Sequence, residues 1–137
     1  MISLWERSVR ETHKFVSPED IEYFKSLVVD IDFTLFRVFC CLSEDESLIG
    51  FIGVSENKIE MLFLEPEQIG NGIGRLLIEF AIQELKATEV DVNEQNLHAV
   101  LFYSKFGFRT YDRTELDSAG KNYPILKMRL SESGSPR

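Results

Sequence analysis

The sequence predicts a single α/β (or α+β) domain, in which helices flank a mixed, mostly antiparallel central sheet. Three observations lead to this expectation. Two helical segments open the chain, three strand-like segments separated by polar turns follow, and a glycine-rich turn then leads into a long amphipathic helix. The length of 137 residues suits one domain. We expect this domain to cover residues 1–130 and a polar tail to follow at residues 131–137.

The first two elements are predicted to be helices. Residues 2–10 place Ile2, Trp5 and Val9 on one helical face, and a break that contains His13 follows. The second helix starts with Ser17 as its N-cap and Pro18 at the first helical position, with acidic residues in the first turn.

The next three elements are predicted to be strands of an antiparallel meander. Residues 33–42, 48–54 and 58–64 are rich in β-branched and aromatic side chains, and polar turns join them. We interpret the acidic run Glu44-Asp45-Glu46 as a solvated hairpin turn. The adjacent Cys40 and Cys41 would point to opposite faces of their strand, which disfavours a disulfide between them.

The second half of the chain is predicted to alternate helices and strands. Apolar residues recur at helical spacing from Ile73 to about Lys86. A short strand at residues 89–93 and a helix that Asn96 caps and Gly107 ends come next. Two strands, at residues 108–116 and 123–130, complete the domain.

Composition limits the possible partners. The formal net charge of -8 and the pI of about 4.8 disfavour binding to nucleic acid or to anionic membranes. The sequence shows no signal peptide and no apolar run near the ~18 residues of a membrane span, so we expect a cytoplasmic protein. Two cysteines and two histidines without metal-ligand spacing predict no metal site.

The most informative segment is the glycine-rich turn at residues 69–75. A strand, a glycine turn and a helix N-terminus together form a cradle for a phosphate group. The residues after the last glycine, Arg75 and Leu76, exclude a P-loop, and the G-x-G-x-G spacing does not match a dinucleotide fingerprint. A tight turn without a ligand stays open as an alternative.

Two motifs resemble the GNAT family of N-acetyltransferases. The run Ile69-Gly70-Asn71-Gly72-Ile73-Gly74-Arg75 is similar to the family's acetyl-CoA loop, Q/R-x-x-G-x-G/A, although Ile69 stands at the Gln/Arg position. Residues 99–108 resemble the family motif A-x-x-F-Y-x-K-x-G-F. The opening residues Arg7-Ser8-Val9, Thr12-His13 and Phe15 also resemble a small bacterial branch of this family.

The resemblance implies an enzyme that transfers an acetyl group from acetyl-CoA to a primary amine of a small molecule or peptide. The pantetheine arm would pair with the strand edge formed by Leu62, Phe63 and Leu64. The pyrophosphate would lie on the turn and the helix start. The full set of expected cofactor-binding residues is Leu62, Phe63, Leu64, Ile69, Gly70, Asn71, Gly72, Ile73, Gly74, Arg75, Asn93, Asn96, Tyr103 and Lys105.

The same resemblance places Tyr103 where the family often has the general acid that protonates the CoA thiolate, although a packed aromatic is the alternative. A backbone N–H near Leu64 would stabilise the oxyanion. Glu65 and His13 are the two candidates for the group that takes the proton of the amine, either directly or through water. Trp5 and Tyr123 are candidates for the acceptor pocket, with core packing equally plausible.

Other functions are also compatible with these motifs. A non-enzymatic module that binds or senses acyl-CoA on the same fold is the main alternative, and a dinucleotide-dependent oxidoreductase is less favoured. The family usually starts with a strand that this chain lacks, which would leave residues 33–42 at a sheet edge. Two hypotheses follow: the natural protein starts upstream of Met1, or a second copy covers the edge in a homodimer.

Overall fold

The computed structural model describes residues 1–131, which form two compact units that meet between Ala87 and Thr88. The first unit contains α1 (Ile2–Thr12), α2 (Pro18–Val29), β1 (Arg37–Leu42), β2 (Leu48–Ser55), β3 (Lys58–Leu64) and α3 (Ile73–Gln83). The second contains β4 (Glu89–Asn93), α4 (Leu97–Lys105), β5 (Phe108–Thr114) and β6 (Ile125–Leu130). Of the expected polar tail, all but Ser131 lies outside the described residues.

The first unit is built on the antiparallel strands β1, β2 and β3, with β2 in the middle. The central strand is the most buried of the three, and Phe51, Ile52 and Val54 are almost completely inaccessible. Helix α3 packs on β2 and β3, and α1 packs on β3. Leu4 of α1 joins Phe51 and Met61 in the core. The meander expected from the sequence is therefore confirmed.

The start of α2 is also as expected. Ser17 has an extended backbone, and its hydroxyl accepts a hydrogen bond from the Asp20 N–H at 3.1 Å. Pro18 occupies the first helical position, where its missing N–H costs nothing. A local capping pattern was sufficient to locate this helix.

In the first unit, two boundaries differ from the sequence-based expectation by three residues or more. Residues 33–35 form a 3-10 turn instead of the start of β1, because the Asp32 carboxylate accepts from the Thr34 N–H at 3.0 Å and closes a turn. Helix α3 ends at Gln83 instead of about Lys86. There Lys86 adopts a left-handed φ of 59°, and the Ala87 N–H donates back to the Ala81 carbonyl at 3.0 Å.

The second unit holds the antiparallel strands β4, β6 and β5, with β6 in the middle. Helix α4 packs on β4 and β5, and Gly107 ends it with a φ of 98°, as the sequence predicts. Both β5 and β6 are shorter than expected. The Asp117 carboxylate accepts from the N–H groups of Ala119 and Lys121, so residues 117–121 form a turn.

The six strands and four helices confirm the predicted mixed α/β class, and every pairing within a unit is antiparallel. None of the helices in residues 1–131 has the length and apolar character needed to cross a membrane.

Candidate active site

The end of β3 directs part of its backbone away from β2. The Glu65 N–H donates to the Ile49 carbonyl at 2.9 Å, which extends the β2–β3 ladder by one position. In an antiparallel pair, hydrogen-bonded and non-hydrogen-bonded positions alternate. The N–H and C=O of Phe63 therefore point towards β2, whereas those of Leu62 and Leu64 point away from it. The sequence led us to expect that Leu62, Phe63 and Leu64 contact the pantetheine arm. On the side of β3 that faces away from β2, only Leu62 and Leu64 present backbone groups.

The segment between β3 and α3 is an open glycine turn. A 3-10 turn, Pro66–Gln68, leads to Ile69, and the Asn71 N–H donates to the Gln68 carbonyl at 3.1 Å. Gly70 and Gly72 have φ values of 92° and 86°, which L-residues with a side chain rarely adopt. A Cβ at either position would meet no atom within 4 Å. The turn thus needs glycine for its backbone and borders open space.

The amides that open α3 are available to bind an anion. The first intrahelical hydrogen bond runs from the Leu76 N–H to the Gly72 carbonyl at 3.1 Å. No residue in the described part of the chain accepts from the N–H groups of Ile73, Gly74 or Arg75. The helix macrodipole adds positive potential at this end. Free amides, positive potential and open space fit the pyrophosphate of CoA.

The Arg75 side chain is placed to reinforce this positive end. It is 72% exposed and pairs with Glu79 one turn later on the helix, at 3.2 Å. Such exposed pairs are weak, so the guanidinium can exchange Glu79 for a phosphate.

An acidic pocket lies in the first unit beside the end of β3. Its volume is about 740 Å³. Helix α1, the β1–β2 turn, the start of β2 and the segment after β3 provide its walls, and the lining residues are Arg7, Ser43, Glu44, Asp45, Ser47, Leu48, Ile49, Glu65, Glu67 and Gln68. Four carboxylates and a single guanidinium give its lining an excess of negative charge.

Glu65 forms one wall of this acidic pocket, and Arg7 holds its carboxylate. The Arg7 Nε donates to Glu65 Oε1 at 2.8 Å, and a second guanidinium N–H pairs with Oε2. This hydrogen bonding to Arg7 lowers the pKa of the Glu65 carboxyl from its ordinary value. Glu65 is therefore ionised throughout the neutral pH range.

In the second unit, Tyr103 is a buried residue of α4. Its ring packs edge-on against Phe102 and Phe108, with centroids 5.3 and 5.7 Å away. No described residue forms a hydrogen bond with its hydroxyl. Every fully enclosed side-chain oxygen in residues 1–131 has a hydrogen-bond partner. Since the Tyr103 hydroxyl has none, it must be partly accessible to solvent. Burial raises the pKa of the Tyr103 phenol, so the phenol keeps its proton.

The other expected cofactor residues of the second unit surround the start and end of α4. Asn93 is the last residue of β4, and its carbonyl accepts from the Asn96 N–H at 3.0 Å. The Asn96 side-chain oxygen accepts from the Ala99 N–H at 3.2 Å and caps α4, which leaves only its amide NH₂ for a ligand. Lys105 is exposed in the last turn of α4.

Three further candidates from the sequence are Trp5 and Tyr123, for the acceptor pocket, and His13, for the base. The Trp5 ring is 8% exposed and packs edge-on against Phe63, with centroids 6.5 Å apart. His13 ends α1, and its ring contacts Phe15. Tyr123 follows the turn between β5 and β6. Neither Trp5 nor His13 is among the residues that line the acidic pocket.

The sequence did not reveal two parts of this pocket. Arg7 entered the sequence analysis only within a family motif, and residues 44–46 were interpreted as a solvated turn. Residues 43–47 do form a turn, in which the Asp45 carboxylate accepts from the Ser47 N–H at 3.1 Å. The acidic run was the available signal, but nothing local indicates that it faces Glu65.

Three comparisons with known proteins identify the family of this chain. The family model of the acetyltransferase (GNAT) domain matches residues 9–131. The peptidyl-lysine N-acetyltransferase YjaB of Salmonella typhimurium is 34% identical over 128 residues, which are 93% of this chain and 88% of that protein.

Solved structures show the same fold. The solution structure of apo-form YjaB from Escherichia coli has a TM-score of 0.83 and 34% identity, and the match covers 95% of this chain and 88% of that one. The crystal structure of the PaiA N-acetyltransferase from Thermoplasma acidophilum, solved in complex with coenzyme A, has a TM-score of 0.67 and 24% identity, covering 94% and 90% of the two chains.

These findings confirm the family expected from the sequence and favour an enzyme over a non-enzymatic acyl-CoA module. The chain belongs to the GNAT family of acetyltransferases and is an N-acetyltransferase that transfers the acetyl group of acetyl-CoA to an amine.

Proposed function

We propose that the acceptor amine is a lysine side chain in a peptide or protein. The observation that carries this proposal is the acidic pocket beside the end of β3, where Glu44, Asp45, Glu65 and Glu67 surround about 740 Å³. A lysine ammonium with its long aliphatic stem suits an open pocket with carboxylate walls. The similarity to YjaB, a peptidyl-lysine N-acetyltransferase, supports the same acceptor class.

The donor would bind along β3 and the glycine turn. The backbone groups of Leu62 and Leu64 that point away from β2 would pair with the amides of the pantetheine arm. The pyrophosphate would accept hydrogen bonds from the free N–H groups of Ile73, Gly74 and Arg75. Asn93, the Asn96 amide and Lys105 stay predictions as further contacts with the donor.

The proposed chemistry takes the general-acid role of Tyr103 from the resemblance to the family. The lysine nitrogen, once it has lost a proton, attacks the thioester carbonyl carbon, and the Leu64 N–H stabilises the developing oxyanion. The nitrogen, now bonded to the acetyl carbon, gives its extra proton to water. The C–S bond breaks, and the thiolate takes the phenolic proton of Tyr103, which regains a proton from solvent. A general acid of this kind typically contributes about 10²–10⁴-fold to the rate.

Glu65 would act on the acceptor as an anion. A general base works best when its pKa lies near the working pH, and the pairing with Arg7 moves the Glu65 pKa away from that range. Glu65 is therefore better suited to bind the lysine ammonium than to remove its proton, which would leave to water. His13 stays a candidate for the base.

An assay of CoA-thiol release across several amines tests the acceptor class. The panel compares a lysine peptide, the same peptide with acetyl-lysine and a free N-terminus, a polyamine and an aminoglycoside, and mass spectrometry locates the acetyl group. We expect transfer to the lysine ε-amine with a higher kcat/KM than to any other amine. Preferential transfer to the N-terminus, the polyamine or the aminoglycoside would contradict the lysine acceptor.

The homodimer and the cytoplasmic location stay predictions. Among the described residues of the first unit, β1 pairs only with β2, and Phe39 and Leu42 on β1 are exposed. An exposed edge of this kind favours pairing with a second copy. Sedimentation that shows a monomer at all accessible concentrations would contradict the dimer.

A further inference from the structure

The ion pair between Arg7 and Glu65 joins two distant parts of the chain at the acidic pocket. Arg7 lies in the middle of α1, and Glu65 directly follows β3. The guanidinium contacts both carboxylate oxygens in a fork, the geometry that gives Arg–carboxylate pairs their directional strength. Both residues line the acidic pocket. The Glu65 side chain therefore has a defined orientation at the pocket wall.

The Glu65 backbone is fixed independently of Arg7. Its N–H donates to Ile49 at 2.9 Å, and its carbonyl accepts from the Gln68 N–H at 2.9 Å. Loss of the Arg7 side chain would leave this backbone in place and free only the carboxylate. Arg7 thus controls the position of one functional group and not the course of the chain.

The carboxylate can still bind an amine while Arg7 holds it. Each carboxylate oxygen has two lone pairs, and the fork occupies one on each oxygen. The Glu65 side chain is 17% exposed, so part of it still reaches the pocket. Arg7 is the one cation among the lining residues, and it also feels the attraction of the nearby Glu67.

Stabilisation of the fold alone does not account well for the ion pair between Arg7 and Glu65. The Arg7 side chain is 54% exposed, and ion pairs exposed to this degree stabilise a fold little. The same helix carries a useful comparison: Arg10 pairs with Glu6 at 2.9 Å and with Glu22 at 2.5 Å, and it is not among the residues that line the pocket.

We propose that Arg7 is a positioning residue for the acceptor: it holds the Glu65 carboxylate at the wall of the acidic pocket in the orientation that binds the substrate amine. This inference rests on the proposed function, because it requires that the acceptor occupies this pocket. Arg7 does not contact the reacting atoms itself. Its effect reaches the reaction through the affinity for the amine and not through the chemical step.

Steady-state kinetics on four single variants and one double variant, Arg7→Gln/Glu65→Gln, test this role. Arg7→Gln removes the fork, Arg7→Lys keeps a point charge without it, Glu65→Gln removes the anion, and Arg10→Gln is the matched control on α1. The assay measures kcat and KM for the lysine peptide at saturating acetyl-CoA, the KM for acetyl-CoA, and the melting temperature of each variant.

Arg7→Gln is expected to raise the peptide KM about tenfold, in line with the loss of one charge-assisted contact, while kcat and the KM for acetyl-CoA change less than about twofold. Arg7→Lys should recover part of the loss. Arg10→Gln should leave every kinetic constant unchanged. Since both residues act through one contact, the Arg7→Gln/Glu65→Gln double variant should be no worse than Glu65→Gln alone.

Three results would overturn the proposal. They are an unchanged peptide KM in Arg7→Gln, an additive loss in the double variant, and a fall of kcat that Arg10→Gln reproduces with a similar loss of melting temperature. A wild-type enzyme that acetylates a polyamine but no lysine peptide would contradict the lysine acceptor alone. Kinetic constants of the same variants, measured with that polyamine as the acceptor, would then decide the role of Arg7.

Discussion

The N–H of Glu65 donates to the carbonyl of Ile49 at 2.9 Å, and this bond decides which backbone groups of β3 a ligand can use. Because ladder positions alternate, it directs the N–H of Leu64 away from β2. The same residue, Glu65, presents its side chain to the acidic pocket. In the proposed mechanism, this one short segment would therefore provide both the oxyanion donor and the anion that binds the acceptor amine.

Gly72 is expected to be essential for binding acetyl-CoA. Gly72→Ala forces a side chain into a φ of 86°, which costs about 1–2 kcal/mol of stability and shifts the amides that open α3. Gly120→Ala is the matched control, because Gly120 has a φ of 78°, with no atom within 4 Å of an added Cβ, and lies in the turn before β6. Calorimetric titration should show weaker acetyl-CoA binding for Gly72→Ala only. Equal affinity in both variants would contradict a role of the turn.

Tyr103→Phe is expected to keep the fold and the affinity for acetyl-CoA and to lower kcat by about 10²–10⁴-fold. The hydroxyl has no partner among the described residues, so its removal breaks no hydrogen bond of the free protein. Tyr111→Phe, which removes an exposed hydroxyl that donates to Glu89 at 3.1 Å, should leave kcat unchanged. A Tyr103→Phe variant with normal kcat would remove Tyr103 from the mechanism and leave it a packed aromatic.

The raised pKa of Tyr103 also predicts a loss of stability in alkali. The folded state keeps the phenolic proton to a higher pH than the unfolded chain, in which the pKa is about 10. The stabilisation is complete below this pH and decreases as the pH rises above it. Thermal unfolding between pH 8 and pH 11 should show a steeper loss in the wild type than in Tyr103→Phe. Parallel curves would contradict a strongly buried phenol.

Asn96 is expected to contribute mainly as the N-cap of α4. Asn96→Ala removes the oxygen that accepts from Ala99, at a cost of about 1 kcal/mol of stability. Asn96→Asp keeps a capping oxygen and replaces the NH₂ donor with a second oxygen that carries negative charge. If the amide also binds the pantetheine arm, Asn96→Asp will keep the melting temperature and lose affinity for acetyl-CoA. Unchanged affinity in Asn96→Asp would make Asn96 a cap alone.

His13 predicts a loss of stability in mild acid. Burial lowers the pKa of its imidazole from 6.5 to about 4. The unfolded chain therefore binds the proton first as the pH falls, and stability is present above pH 6.5 and lost towards pH 4. The full loss is about 3 kcal/mol. His13→Gln should flatten this part of the urea-unfolding profile, and an unchanged profile would contradict the buried neutral ring.

The contacts of His13 also fix its tautomer. The Thr12 hydroxyl donates its single proton to the Ser8 carbonyl at 2.8 Å and lies 2.8 Å from His13 Nδ1. The hydroxyl must then accept from Nδ1–H, which leaves Nε2 as the acceptor. A neutral ring with a free Nε2 lone pair retains the capacity to take a proton. Because burial lowers its pKa to about 4, however, the criterion that disfavours Glu65 as the base also disfavours His13.

Local patterns predicted much of the fold. Ser17, Asn96 and Gly107 each act within their own helix terminus, so their roles can be inferred from the adjacent residues. The prediction of a strand at residues 33–35 was wrong, because Phe33 and Leu35 are typical of strands, whereas the Asp32 carboxylate imposes a turn. Side-chain hydrogen bonds of this kind compete with the strand and leave little signal in the apolar pattern.

The candidate site was only partly predictable for a related reason. The glycine turn and the motif around Tyr103 are contiguous in sequence and could be found by their spacing. Arg7 and Glu65 are 58 positions apart, and only the packing of α1 on β3 brings them together. The acidic pocket likewise combines four separate segments. The spacing of residues in the sequence does not indicate contacts between such distant segments.

The most direct test of the central claim is a titration of the ¹⁵N-labelled protein with acetyl-CoA, followed by amide chemical shifts. The account predicts that the N–H signals of Ile73, Gly74 and Arg75 move most and gain protection from exchange, because they bind the pyrophosphate. Unmoved signals for these three amides at saturating acetyl-CoA, with large shifts elsewhere, would contradict it.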